Sequence, residues 1–210
     1  HMSTPEPTIY LVDDDESVRR SIERLVRSVG YSVHTFASPK DFLEEHRCAG
    51  PCCLILDLRM PDLSGLALQK MMEDSDLQMP IIFLTGHGDI PTTVEAMKGG
   101  AVDFLPKPCE ETKLLEAIRE GLRRDTLERD QQEELREIKR KLSLLTPREF
   151  EVFTLVVSGL LNKQIAWELG TAEKTIKVHR ARVMTKMQVL SLAELVRMAE
   201  RLGIKPRDPQ

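Results

Sequence analysis

Over the first 122 residues, short apolar runs alternate with amphipathic stretches. The runs fall at 9–12, 31–36, 53–56, 81–84 and 101–105, and several are nearly continuous and β-rich, as strands buried on both faces should be. Helical spacing fills the intervals. Val18, Ile22, Leu25, Val26 and Val29 mark one helix with Gly30 as its stop. Ser38-Pro39 starts another with an N-cap and a first-turn proline. Five strands alternating with five helices predict a parallel sheet covered on both faces, with the ligand site beyond the carboxyl ends of the strands.

The period then changes. Residues 123–141 hold 13 charged side chains in 19, without glycine or proline, and predict a long exposed helical linker. Leu135, Ile138, Leu142 and Leu145 form a short seam, compatible with a solvated helix or a two-stranded coiled coil. From Thr146 onward the pattern is all helical. Thr146-Pro147-Arg148-Glu149 combines a cap, a first-turn proline and a capping-box acid, and Phe150, Val152, Phe153, Leu155, Val156 and Val157 form a core face. Asn162 is expected to cap a short helix 163–169, Gly170 to turn, and Thr171 to cap a basic helix reaching Met187. Ser191 and Glu194 form a second capping box. A short helix, a glycine turn and a longer basic helix predict helix-turn-helix geometry. The expected divisions are 3–122, 123–142 and 143–210.

Charge sharpens this division. The chain has 210 residues and a net charge of −4, with 41% hydrophobic and 30% charged residues, ordinary for a folded soluble protein. Residues 1–122 carry −9, 123–142 carry +1 and 143–210 carry +4. An acidic part joined to a basic part suggests a cation at one end and nucleic acid at the other. No apolar run reaches the roughly 20 residues of a membrane span, and no signal-peptide pattern opens the chain. His1-Met2 has the look of a cloning remnant. Cys48, Cys52, Cys53 and Cys109 follow neither a disulfide framework nor paired zinc spacing, so Cys52 and Cys53 are expected as buried thiols and a reducing cytoplasm fits.

The candidate chemistry sits at the strand ends. Asp13 and Asp14 follow the first apolar run, Asp57 the third, and Thr85 the fourth; Lys107 lies just past the fifth. Packed carboxylates repel unless a cation offsets them, and an oxygen-only cluster suits Mg²⁺. A hydroxyl and an ammonium beside them suit phosphoryl transfer. Asp15, Asp41 and Asp62 read as caps and turn residues.

VDDD at 12–15, LDLRMPDLSG at 56–65, LTGHGD at 84–89 and FLPKP at 104–108 resemble the receiver domain of two-component response regulators, in order from residue 8 to about 122. The segment 145–187, with TPRE, Gly159, NKQIA and TIKVH, resembles the LuxR-type helix-turn-helix domain. Together they are similar to the FixJ/NarL class. The resemblance implies a flavodoxin-like (βα)₅ receiver joined by a long charged helix to an all-α helix-turn-helix domain.

In that likeness, Asp57 accepts a phosphoryl group from a sensor histidine kinase. Asp14 and Asp57 bind Mg²⁺ directly, Asp13 acts largely through water, and the backbone carbonyl of Arg59 completes the protein ligands. Thr85 and Lys107 hold phosphoryl oxygens, Phe104 is the aromatic switch coupled to Thr85, and Lys107–Pro108 is cis. Phosphorylation implies a homodimer through the fourth helix and fifth strand, binding to promoter DNA and contact with RNA polymerase, in a cytoplasmic regulator rather than a turnover enzyme. Lys174, Thr175, Lys177, Val178, Arg180, Arg182 and Lys186 face DNA along the basic helix, with Lys177 and Val178 toward bases.

Two positions depart from the usual pattern: Cys109 stands where relatives usually carry phenylalanine, and Ala181 where some carry lysine. His179 fits either a structural role or a DNA contact, and Trp167 is expected to pack between helices. Phosphatases of the haloacid-dehalogenase type share an aspartyl nucleophile but need an aspartate two residues later, where this chain has Arg59. A DNA-binding scaffold whose receiver serves only protein contacts is the alternative; the complete acidic set argues against it.

Overall fold

The computed structural model describes residues 5–206. His1-Met2, together with 3–4 and 207–210 of the expected divisions, lies outside them. The chain divides into two compact units, 1–129 and 130–210.

In the first unit, the strands β1 (Thr8–Val12), β2 (Ser32–Phe36), β3 (Cys52–Asp57), β4 (Ile81–Thr85) and β5 (Asp103–Pro106) form one sheet in the order β2-β1-β3-β4-β5. Every pairing is parallel. Between the strands run α1 (Glu16–Ser28), α2 (Pro39–Glu45), α3 (Gly65–Asp74) and α4 (Ile90–Lys98), and α5 (Glu111–Leu142) follows β5. Alternation along the strands divides the core. Ile9, Leu11, Cys53, Ile55, Ile82 and Leu84 meet α1 and α5 through Ile22, Val26, Leu114 and Ile118. Tyr10, Val12, Leu54, Leu56 and Phe83 meet the opposite helices through Phe42, Leu68, Met72 and Ala96. Burying both faces explains why β3 reads as an unbroken apolar run.

The caps follow the local chemistry. Asp15 Oδ1 accepts the backbone N–H groups of Ser17 and Val18 at the start of α1. The Ser17 hydroxyl, then its amide and that of Val18, hold the Asp15 carboxyl below its usual range. Ser38 caps α2, with the Asp41 amide donating to its hydroxyl. Asp62 takes the left-handed conformation of a turn, at φ 70°. No helix among the described residues is long and apolar enough to cross a membrane.

The second unit packs the last part of α5 with α6 (Pro147–Val157), α7 (Asn162–Glu168), α8 (Glu173–Met187) and α9 (Leu192–Arg201). Thr146 and Glu149 form the expected capping box of α6, and Ser191 caps α9. Several expectations need correction here. Ile138 is buried in this unit's own core, with Leu142 and Leu145 against it, so three of the four seam residues pack within the unit. Phe150 lies at the edge of the core face, 40% exposed. Leu161, not Asn162, is the N-cap residue of α7, and its amide donates to the Gln164 side chain. Ala172, not Thr171, precedes α8. Trp167 is 86% exposed rather than packed between helices. At α7 and α8 the sequence pattern located the helix correctly but missed its first boundary by one residue.

The cysteines hold the largest correction. Cys48 and Cys52 are disulfide-bonded, and only Cys53 and Cys109 are free. The intervening loop doubles back and brings the two Cα atoms to 6.5 Å, within the range a disulfide spans. Cys53, one residue on, faces the other side of the sheet, where burial pushes its thiol pKa up.

Candidate phosphoacceptor site and nucleic-acid interface

The carboxyl ends of β1, β3, β4 and β5 bring the first set of candidate residues together. Asp13 directly follows β1, Asp57 ends β3, Thr85 ends β4 and Lys107 follows β5. Asp13, Asp57 and Thr85 are buried, whereas Asp14 is exposed at the mouth. Carboxylate oxygens of Asp13, Asp14 and Asp57 all lie within 4.8 Å of one another.

Lys107 Nζ crosses the site, donating to Asp13 Oδ2 at 2.6 Å and lying 3.3 Å from Asp57 Oδ1. The Arg59 amide donates to Asp57 Oδ1 at 3.3 Å, and the Asp15 amide to Asp13 Oδ1 at 2.9 Å. Burial, then the charge of Asp13, raises the Asp57 pKa against the opposing pull of Lys107. Burial by itself would lower the Lys107 pKa, but the hydrogen bond and charge of Asp13, followed by those of Asp57, leave it raised. Three carboxylates facing one ammonium leave the cluster two charges from neutrality. Such an oxygen-only set suits a hard divalent cation.

Thr85 Oγ1 accepts the His87 amide at 3.1 Å, which orients the hydroxyl. The Phe104 ring lies 6.0 Å from that of Phe83, centroid to centroid. The Lys107–Pro108 bond is cis.

Two glycines within the quoted motifs carry geometry that the sequence reading left unassigned. A Cβ on Gly88 would lie 2.8 Å from Phe104 Cε1 and 3.1 Å from Thr85 Cγ2, so the bare backbone of that loop seats both side chains. A Cβ on Gly65 would lie 2.6 Å from the carbonyl oxygen of Asp57. Only hydrogen fits there. Glycines inside two motif segments were the available signal.

The second set lies on α8. Lys174, Thr175, Lys177, Val178 and Arg182 are exposed, while Ile176 and Val183 face the core. The remaining two have partners within the unit. Lys186 Nζ donates to buried Glu149 Oε2 at 2.6 Å, and Arg180 Nη1 to Asn162 Oδ1 at 3.2 Å. The Lys186 hydrogen bond holds the Glu149 carboxyl below its usual range despite burial. Sequence reasoning missed the Glu149 partnership because 37 residues separate the two. His179 Nδ1 is buried without a hydrogen-bond partner.

Comparison with known proteins covers both sets. The response regulator receiver domain family matches residues 9–119, and the bacterial regulatory protein luxR family matches 143–199. The chain is similar to nodulation protein W of Bradyrhizobium diazoefficiens, at 48% identity over 93% of this chain and 86% of the relative. It is also similar to the transcriptional regulatory protein FixJ of Rhizobium meliloti, at 41% identity over 95% of this chain and 98% of the relative. Among solved structures, the response regulator StyR superposes with a TM-score of 0.84 at 48% identity, covering 94% of this chain and 100% of that one.

Proposed function

The chain belongs to the response regulators that join a receiver domain to a LuxR-family DNA-binding domain, and from that premise we propose that it is a phosphorylation-controlled transcription regulator with Asp57 as phosphoacceptor. One observation carries the reading. The Lys107 ammonium lies between Asp13 and Asp57, with Thr85 at the end of the neighbouring strand.

An Asp57 carboxylate oxygen forms a bond to phosphorus as the bond from phosphorus to the donor's leaving atom breaks. The electron pair departs with the donor, a phosphohistidine of a sensor kinase or a small acyl phosphate. Lys107 is then free to pair with a phosphoryl oxygen, and the Thr85 hydroxyl to donate to another. The residues that would hold Mg²⁺ are Asp13, Asp14, Asp57 and the Arg59 carbonyl, and the bound ion would neutralise charge on the transferring oxygens. The two-charge deficit of the cluster fits that ion. With the phosphoryl group in place, Thr85 and Phe104 shift together, Gly88 being the surface both rest on. The shift exposes a homodimer face on α4 and β5. Two copies then place their α8 helices on paired DNA half-sites, in the cytoplasm and with RNA polymerase as a further partner.

Lys174, Thr175, Lys177, Val178 and Arg182 make the DNA contacts in this reading, whereas Arg180 and Lys186 chiefly hold the unit together. Lysine and arginine on that face neutralise phosphates, and Lys177 and Val178 reach base edges.

Intact-protein mass spectrometry after incubation with Mg²⁺ and acetyl phosphate tests the switch. The parent should gain one phosphoryl group and Asp57→Asn none. If neither gains it from acetyl phosphate or from a kinase, the scaffold reading replaces this one.

A further inference from the structure

The opposite end of β3 holds a group that phosphoryl chemistry leaves unused. Cys52 opens the strand that Asp57 closes, roughly 16 Å away at the usual rise per residue. Its sulfur is bonded to Cys48, which sits half-buried in the loop after α2, while Cys52 is fully buried. The Arg129 guanidinium meets both sulfurs, with Nη2 at 3.0 Å from Cys48 Sγ and 3.4 Å from Cys52 Sγ. The same arginine donates through Nε to buried Asp125 Oδ2 at 2.6 Å, and that oxygen also accepts the Cys52 amide at 2.8 Å. A reachable sulfur, a buried leaving sulfur and a fixed cation beside both are the elements of thiol–disulfide chemistry.

We propose that Cys48 and Cys52 form a thiol–disulfide exchange site served by Arg129, opened by a small thiol of the glutathione type and closed by its disulfide. In opening, the small thiolate bonds to Cys48 Sγ, the Cys48–Cys52 bond breaks, and the electron pair stays on Cys52 as a thiolate beside Arg129. A second small thiolate attacks the outer sulfur of the mixed disulfide, releasing the small disulfide and leaving Cys48 as a thiolate. Two protein thiols and one small disulfide result from two small thiols, the two protons released when those thiols ionise ending on Cys48 and Cys52. Closing is the reverse.

The site is coupled to α5. In the closed state Arg129 Nε serves Asp125 while Nη2 rests on neutral sulfurs. In the open state a thiolate competes with Asp125 for the same guanidinium. Asp125 Oδ2 also accepts the Cys52 amide, so the charge formed on opening appears beside the contact that joins this stretch of α5 to the start of β3.

The full chain is equilibrated in glutathione buffers of graded ratio, quenched with iodoacetamide and mapped by peptide mass spectrometry, with circular dichroism on the same samples. Cys48 and Cys52 should become alkylatable together in one two-electron transition while Cys53 stays protected and the spectrum stays folded. Cys52→Ser should trap glutathione on Cys48. Arg129→Gln should slow opening about tenfold, and Arg129→Lys should restore most of the rate. A pair that opens only when the chain unfolds overturns the site, as does one that cannot re-close with the small disulfide. Equal opening rates in the parent and in a folded Arg129→Gln overturn the role of the arginine.

Discussion

Two lysines in this chain donate to a buried carboxylate at 2.6 Å, Lys107 to Asp13 and Lys186 to Glu149. The distance is the same and the chemistry is not. Lys107 faces a second buried acid, Asp57, whose pKa is raised by burial and by Asp13. Lys186 faces one acid whose other duty is to cap α6, and whose pKa is lowered. An ion pair with charge left over is set up to take a ligand, and a pair that closes on itself is architecture. The local charge balance, not the contact length, separates a site from a strut.

Lys107→Met is the strongest challenge to that contrast. Removing one donor from a charge-stabilising set slows the chemistry by about 10²–10³-fold, so the rate of Asp57 phosphorylation should collapse. Mg²⁺ affinity, followed by titration calorimetry, should rise because three carboxylates lose their internal cation. A fall in both would mean that Lys107 is architecture too.

Lys186→Met should cost about 1–3 kcal/mol in urea unfolding of the second unit, since a buried carboxylate loses its donor. The salt dependence of DNA binding should not change. Lys177→Ala should do the reverse, leaving unfolding within about 0.5 kcal/mol, weakening operator binding by about 1–3 kcal/mol and relaxing the sequence preference at the base it reaches. If the two variants exchange phenotypes, α8 has been read from the wrong side.

Acid separates the pairs by sign. The lowered Glu149 pKa contributes stability that is complete above the ordinary glutamate value of about 4.3 and is lost as pH falls through the folded value. The raised Asp57 pKa works the other way, since its ionised form opposes folding and protonation relieves it. Differential scanning calorimetry below about pH 5 should show the second unit losing stability that its Lys186→Met variant has already lost. Gly88→Ala should have the smallest effect, a shift of a few fold in the phosphorylated dimer fraction seen by sedimentation, because its Cβ must displace Phe104 or Thr85.

The sheet, the capping box of α6 and the convergence of Asp13, Asp14, Asp57 and Lys107 were legible because period and strand-end position determine them locally; at α9 only half of the expected box forms, since Glu194 accepts the Leu190 amide instead of that of Ser191. What escaped was long-range or rotational. Glu149 finds Lys186 through packing of α6 and α8, which no spacing reveals. The outward turn of Trp167 escaped because helical period locates a face only within a residue or so. Cys48 reaches Cys52 because a short loop folds back, and CAGPC alone does not show whether it does.

Asp13 and Lys107 stand 94 residues apart in the chain. During synthesis, a nascent polypeptide that has emerged only through β4 exposes Asp13, Asp57 and Thr85 but lacks the ammonium that completes their set. It displays the proposed acceptor without the cation that would speed its chemistry. Under the proposed function, efficient phosphorylation therefore waits until β5 has been made and docked, and the signal favours finished receivers.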